Sequence, residues 1–346
     1  MSFQTFTVSR DDTIYEAWPD LIKTPSGKLL CTFTECDHHL HRDHSRIMIT
    51  QSMDRGRHWS PKRPVSETSM QASYFNNSRL SLLKDGRLAL ICDRVTNIGQ
   101  GHDSCIYLWF SEDEGDTWTQ PTVLPFSGIV PDRLRQLQNG RLLICAHNLN
   151  PDTNKLEEYL WYSDDNGLSW SSQITLAADP RYNLCEACLI ECEDGTLVAF
   201  LRENSFEGYD IMKTISRDHG LTWSEIYRTP MIAGHRPTVG YLDQDKVLVS
   251  YRFIPAYTPV EGSVSLGMQN LFGTLLLADE LTRTKREGTY FRTFPIAYDR
   301  NEKPDTGYSG WVTFEDGEIY MVYYIKDDAP MAQIRGCSFT LKDVIL

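Results

Sequence analysis

Six short turns with the same flanks recur along this 346-residue chain, and no other feature limits its fold as tightly. They lie at Ser26-Gly27, Asp85-Gly86, Asn139-Gly140, Asp194-Gly195, Gln244-Asp245 and Asp316-Gly317, between apolar runs such as Leu88-Ala89-Leu90-Ile91. Asp-Gly and Asn-Gly tolerate the positive φ angles of a two-residue hairpin turn, so each unit predicts a β-hairpin. Between the second turn residues the intervals are 59, 54, 55, 50 and 72 residues. Such a period means one supersecondary unit copied six times, because each copy needs neighbours to bury its apolar face.

A second repeat is interleaved with the first. Ser52-Met53-Asp54-Arg55-Gly56-Arg57-His58-Trp59 recurs as Ser-x-Asp-x-Gly-x-x-Trp starting at Ser111, Ser163 and Ser216. Its mechanics are those of a tight turn, with Asp and Ser bonding nearby backbone, Gly left-handed and Trp packing beneath. Continuous repeats with little helix predict an all-β chain, a six-bladed β-propeller over 1–346 as a single domain, with four of these turns. The stretch from about 279 to 305 is the least regular and carries Arg283, Lys285, Arg286 and Arg292; it reads as a charged loop.

Hydrophobic residues at 41% suit a packed β-protein, and a net charge of -13 argues against nucleic acid as a partner. No run of about 18 apolar residues suggests a membrane span, and the N-terminal residues do not read as a signal peptide. Nine cysteines, several inside apolar runs, fit reduced core residues and a cytoplasmic location. Cys185-x-x-Cys188 with Cys192 is a weak metal motif, since strand alternation would put Cys185 and Cys188 on opposite faces. No metal or cofactor is called for.

Aligning the six hairpins on their turns gives candidate site residues. Nine positions before the turn origin stand Trp18, Asn77, Pro131, Glu186, Arg236 and Tyr308; seven after it stand Thr34, Asp93, His147, Arg202, Arg252 and Tyr324. In a hairpin these two sets are neighbours at one end. Arg79, Arg94, Asp132, Arg133, Glu35 and His235 adjoin them. Arginines, carboxylates, a histidine and aromatics are costly to hold at strand ends unless they pair or meet a ligand.

The Ser-x-Asp-x-Gly-x-x-Trp turn resembles the Asp-box of the sialidase-like β-propellers. Asn183-x-x-Glu186 followed by Glu193-Asp194-Gly195-Thr196-Leu197 and Arg202 resembles the stretch of exo-sialidases that carries a Glu and a substrate-binding Arg. Thr306-Gly307-Tyr308-Ser309-Gly310 with Glu315-Asp316-Gly317-Glu318-Ile319 and Tyr323-Tyr324 resembles the stretch of the nucleophilic Tyr. The resemblance implies Tyr308 as nucleophile with Glu186 as its base, and Arg202 as carboxylate ligand. The family's opening Arg-Ile-Pro is Ala17-Trp18-Pro19 here, so the first triad arginine is absent; Arg236, Arg252 and Arg292 are possible substitutes for the third. The loop that holds the family's acid offers Asp37 and Asp43 among His38, His39, His41 and His44, and one of these His or Asp residues is expected as proton donor.

Three readings stand open. The first is an exo-acting glycoside hydrolase on an acidic sugar, sialic acid or a uronate-containing saccharide. The second is a lyase in which His147 or Tyr308 removes a proton beside a uronate carboxylate. The third is a non-catalytic carbohydrate-binding propeller. An anionic saccharide is the expected partner in each, with Arg202, Arg236, Arg252, Arg79, Arg94, Arg133, Trp18, Asn77 and Asp93 as candidate binding residues.

Overall fold

The computed structural model describes residues 3–40, 42–70, 73–96, 103–255 and 267–345. Its strands form six antiparallel sheets, the blades of a six-bladed β-propeller; helix among the described residues is confined to two 3-10 turns, Ala278–Glu280 and Leu341–Asp343. The chain divides into two compact units. Of the described residues, those up to 127 and from 298 onward fall in the first, and 128–255 and 267–297 in the second.

In the first unit, blade 1 is built from Tyr15–Lys23, Leu29–Cys36, His44–Ser52 and Arg63–Pro64. Blade 2 has a broken inner strand, Ser73–Phe75 then Arg79–Leu82, followed by Leu88–Thr96, Asp103–Ser111 and Thr122–Val123. Blade 6 is built from Thr306–Thr313, Ile319–Ile325 and Gln333–Phe339, and its fourth strand is Gln4–Ser9 from the other end of the chain. That strand pairs antiparallel from Gln4 with Ser338 to Thr7 with Arg335, so hydrogen bonds tie the chain's beginning to its last blade.

In the second unit, blade 3 runs Arg135–Gln136, Leu142–Asn150, Lys155–Ser163 and Ile174–Ala177. Blade 4 runs Leu184–Glu191, Leu197–Glu203, Asp210–Ser216 and Tyr227–Ile232. Blade 5 runs Gly234–Tyr241, Lys246–Phe253, Asn270–Leu277 and Phe291–Tyr298. The stretch read as a charged loop therefore holds the fourth strand of blade 5, and Arg286 pairs with Asp210 at 2.9 Å. The strand Phe291–Tyr298 is mostly apolar in composition yet largely exposed, as an outermost strand is, with Phe294 alone buried.

The turns are one residue longer than the Asp-Gly pairs suggested. In blade 2 the Leu83 and Arg87 backbones close a three-residue loop, and Gly86 N–H bonds Leu83 C=O at 3.0 Å. Only the glycine has positive φ, 89° at Gly86, as in a type I turn followed by a left-handed residue. The Asp before it accepts from the amide two residues on, Asp85 Oδ1 from Arg87 N–H at 2.9–3.0 Å in kind with Asp194 and Thr196. In blade 5, which has no glycine here, Asp243 Oδ1 takes the N–H groups of Asp245 and Lys246.

The second strand of each hairpin is nearly all apolar because both of its faces are covered. Between blades 1 and 2, Leu30, Ile47 and Ile49 pack with Phe75, Leu80, Leu90 and Trp109. Between blades 3 and 4, Leu143, Cys145 and Leu160 pack with Leu189, Leu197 and Ala199. Each of the four Asp-boxes forms the turn after the third strand of its blade. In the second, Ser111 Oγ accepts Gly115 N–H at 2.8 Å and Asp113 accepts Thr117 N–H at 2.8 Å.

Candidate functional site

The aligned positions share a backbone device that the turn repeat did not reveal. Trp18, Glu186, Arg236 and Tyr308 have φ of 56°, 52°, 51° and 40°, left-handed values that cost a non-glycine residue about 1–2 kcal/mol. Each sits in a bulge of the inner strand. The register slips between Ala17 and Asp20, Cys185 and Cys188, His235 and Thr238, and Gly307 and Ser309. In blade 3 the left-handed residue is Val130, φ 53°, one place early, because proline fixes φ of Pro131 at a negative value. In blade 2 the inner strand is interrupted at Asn77 itself. A bulge re-aims the side chain it carries, and repeated strain of this kind marks sites where direction matters. The partner positions follow, with Thr34, Arg202, Arg252 and Tyr324 opposite Ala17, Cys185, His235 and Gly307.

The bulge also changes the reading of the cysteines. Cys185 and Cys188 stand opposite Arg202 and Phe200, two positions apart on one strand, so they lie on the same face and not on opposite ones.

Within the second unit the site is charged and buried. Arg202 Nη1 donates to Glu186 Oε1 at 3.0 Å, and both side chains are under a tenth exposed. The pair joins two strands of one hairpin, so it does not lock one blade to another. His147 is buried, which lowers its pKa to about 4; the Arg202 and Arg236 charges push the same way and Glu186 opposes them. Its cross-strand neighbour Glu158 is fully buried, and burial pushes its carboxyl well above the usual range. Asp132 and Glu186 add to that rise, while the Ala187 N–H and Arg236 counter it. His235, opposite Arg252, is held well below its ordinary value by burial and by Arg202 and Arg252. Arg236, with no exposed surface, donates to Pro131 C=O at 3.5 Å. Burial favours the neutral form of Glu158, while the Glu186 carboxyl meets the Arg202 guanidinium. Arg133 is half-buried.

Within the first unit the site is aromatic. Tyr308 lies 6.2 Å from Tyr324 between ring centres, and Tyr324 lies 6.1 Å from Trp18. Arg42, from the histidine-rich loop, stacks on Trp18 at 4.0 Å and on Tyr74 at 4.6 Å, and donates to Asn76 Oδ1 at 2.8 Å. Asn76 in turn donates to Asp93 at 3.2 Å. Asn77 is 1% exposed, and its amide nitrogen and oxygen have no hydrogen-bond partner among the described residues. Arg79 is buried against Asp20 at 3.5 Å, and Arg94 reaches Glu67 and Ser73, both at 3.2 Å. Asp37 and Asp43 are exposed, Asp37 accepting the His44 N–H at 2.8 Å. His41 lies outside the described residues.

Four residues at these sites escaped the alignment. Glu158 is on a third strand, which an alignment of first hairpins does not cover. Tyr15 and Asp305 come before the aligned positions Trp18 and Tyr308, and Arg42 comes after Thr34; Tyr15 and Tyr324 donate to Asp305 at 2.5 and 2.9 Å.

Repeats, bulges and strand order together define a sialidase-like β-propeller. Residues 77–238, just under half of the chain, match the BNR repeat-like domain family. The chain is 28% identical over 195 residues to a sialidase of Clostridium perfringens, an alignment covering 46% of this chain and 50% of that one. The chain spans about half the length of the curated sialidases it matches. Its fold is shared with a Dyadobacter fermentans protein of unknown function, at TM-score 0.80 and 20% identity over 97% of both chains. It is shared too with the Hadza microbial sialidase Hz136, at TM-score 0.70 and 17% identity over 99% of this chain and 69% of that one.

Proposed function

We propose that this protein is an exo-acting glycoside hydrolase of the sialidase type, acting on an acidic sugar, a sialic acid or a uronate-containing saccharide. The observation that supports this most is the buried Glu186–Arg202 pair, Glu186 on a left-handed bulge, with Arg202 and Arg236 acting on the buried His147 and Arg202 and Arg252 on the buried His235. A guanidinium fork matches a carboxylate in bidentate geometry. Arg202, helped by Arg236 or Arg252, is assigned the sugar carboxylate. Tyr308 is assigned the attack on the anomeric carbon and Glu186 the role of its base. An uncharged phenol approaches an anionic sugar without the repulsion a carboxylate nucleophile would meet.

The test is turnover of a panel of sialosides and uronate-containing oligosaccharides, read by released reducing ends and by ultraviolet absorbance. Hydrolysis without new absorbance is expected. Arg202→Lys should weaken the acidic sugar strongly and spare a neutral analogue; equal loss for both would refute carboxylate recognition. One observation favours a second reading, a lyase: His147 is kept unprotonated by burial, as a base must be. An absorbing unsaturated product would select it.

A further inference from the structure

Among the described residues of the loop after the first hairpin, His38 and His39 are half-buried with their rings against Tyr15, and Asp37 and Asp43 are exposed. His39 Nδ1 lies 2.7 Å from Asp305 Oδ2, and the ring meets the Trp18 indole edge-on at 5.2 Å. The Tyr15 hydroxyl donates to the same Asp305 oxygen at 2.5 Å, and the Tyr324 hydroxyl to Oδ1 at 2.9 Å. Burial, then the Asp305 charge, raises the Tyr15 phenol well above its usual value, so it stays protonated and remains a donor. Asp305 therefore acts as an acceptor on both oxygens, and the hydrogen between it and His39 sits on Nδ1. That leaves Nε2 as the position at which His39 gains and loses its second proton. Arg42 Nε donates to the His39 carbonyl at 2.9 Å while its guanidinium stacks on Trp18, which fixes the main chain beneath the ring.

A loop histidine needed only for solubility has no use for a buried carboxylate and two tyrosines to orient it. The side chain of His39 retains 17% exposure, enough for a proton to pass, while that of Asp305 is 8% exposed. Asp37 and Asp43 point to solvent. We propose that His39, oriented by Asp305, is the proton donor to the departing glycosidic oxygen. The assignment rests on the glycoside hydrolase reading above.

The step balances as follows. Nε2 of the His39 imidazolium gives its proton to the glycosidic oxygen as the bond from that oxygen to the anomeric carbon breaks. The bond's electron pair stays on oxygen, and the aglycone leaves as an alcohol. Tyr308 Oη bonds to the anomeric carbon as the glycosidic bond breaks, its proton passing to its base. The neutral imidazole then takes a proton from the water that attacks the same carbon, which restores the imidazolium. The bond to Tyr308 breaks with its electron pair returning to the phenol oxygen, which recovers its proton from the base.

Leaving-group dependence tests this directly. An alkyl aglycone needs the proton, whereas an aryl aglycone leaves as a stable phenolate. His39→Asn should lower kcat/KM on an alkyl-linked acidic sugar by about 10²–10⁴-fold, the usual contribution of a general acid. The 4-nitrophenyl glycoside of the same sugar should change less than about tenfold. His39→Gln, whose amide can still donate to Asp305, serves the same comparison if the Asn variant unfolds. In the wild-type protein, rate should depend weakly on leaving-group acidity. Equal loss on both substrates, no loss on either, or a steep wild-type dependence would overturn the assignment. Absence of turnover by the wild-type protein on both would instead refute the hydrolase reading itself.

Discussion

Removing Arg202 tests whether the buried pair serves the fold or the ligand. Arg202→Met deletes the guanidinium 3.0 Å from Glu186 and leaves a carboxyl in a site where the Glu186 side chain is 5% exposed. Breaking one partner of a buried pair costs about 3–5 kcal/mol, whereas replacing both by apolar groups of similar volume is often neutral. Unfolding entropy near 2.1 cal/mol/K per residue gives roughly 0.7 kcal/mol/K for a chain of this length unfolding in one transition. The single variant should therefore melt about 4–7 °C lower, and Glu186→Leu/Arg202→Met within about 2 °C of wild type. Scanning calorimetry at pH 7 reads both. A double variant as unstable as the single one would make the pair part of the framework, and the argument that it is held for a ligand would fail.

Two predictions concern acid. Hydrogen bonds from the Thr117 hydroxyl and N–H, and from Ser111, hold the Asp113 carboxyl at about 2. A depressed acid contributes stability above its ordinary value near 3.8 and loses it as pH falls towards 2. Asp113→Asn should flatten the melting temperature over that window. His147 binds its proton near 4 when folded against 6.5 ordinarily, so the unfolded chain takes the proton first and stability falls as pH drops through that interval. His147→Asn should remove that part of the decline, and melting curves from pH 7 to 4 would show an unchanged slope if His147 were accessible in the fold.

The fold was legible because turn and box repeats are local, and local rules of backbone geometry write them directly into sequence. The alignment on the turns put Glu186, Arg236 and Tyr308, and their partners Arg202, Arg252 and Tyr324, at equivalent places in their blades, since position within a repeat translates into position within a blade. It did not find the bulges, because nothing in the side chains of Trp18, Glu186, Arg236 or Tyr308 announces a left-handed backbone. Glu158 and Asp305 were missed for a different reason. They meet His147 and His39 through strand neighbours or contacts 266 residues apart in sequence, and only the folded chain shows these.

Tyr308 is proposed to carry the chemistry on an acidic sugar. Tyr308→Phe removes one oxygen from a side chain 7% exposed and should scarcely move the melting temperature. Its turnover of the acidic glycoside hydrolysed by the wild-type protein is the measurement that decides. A fall of several orders of magnitude is expected, with binding of the same sugar by titration calorimetry kept. Turnover close to wild type in that variant would contradict the proposal.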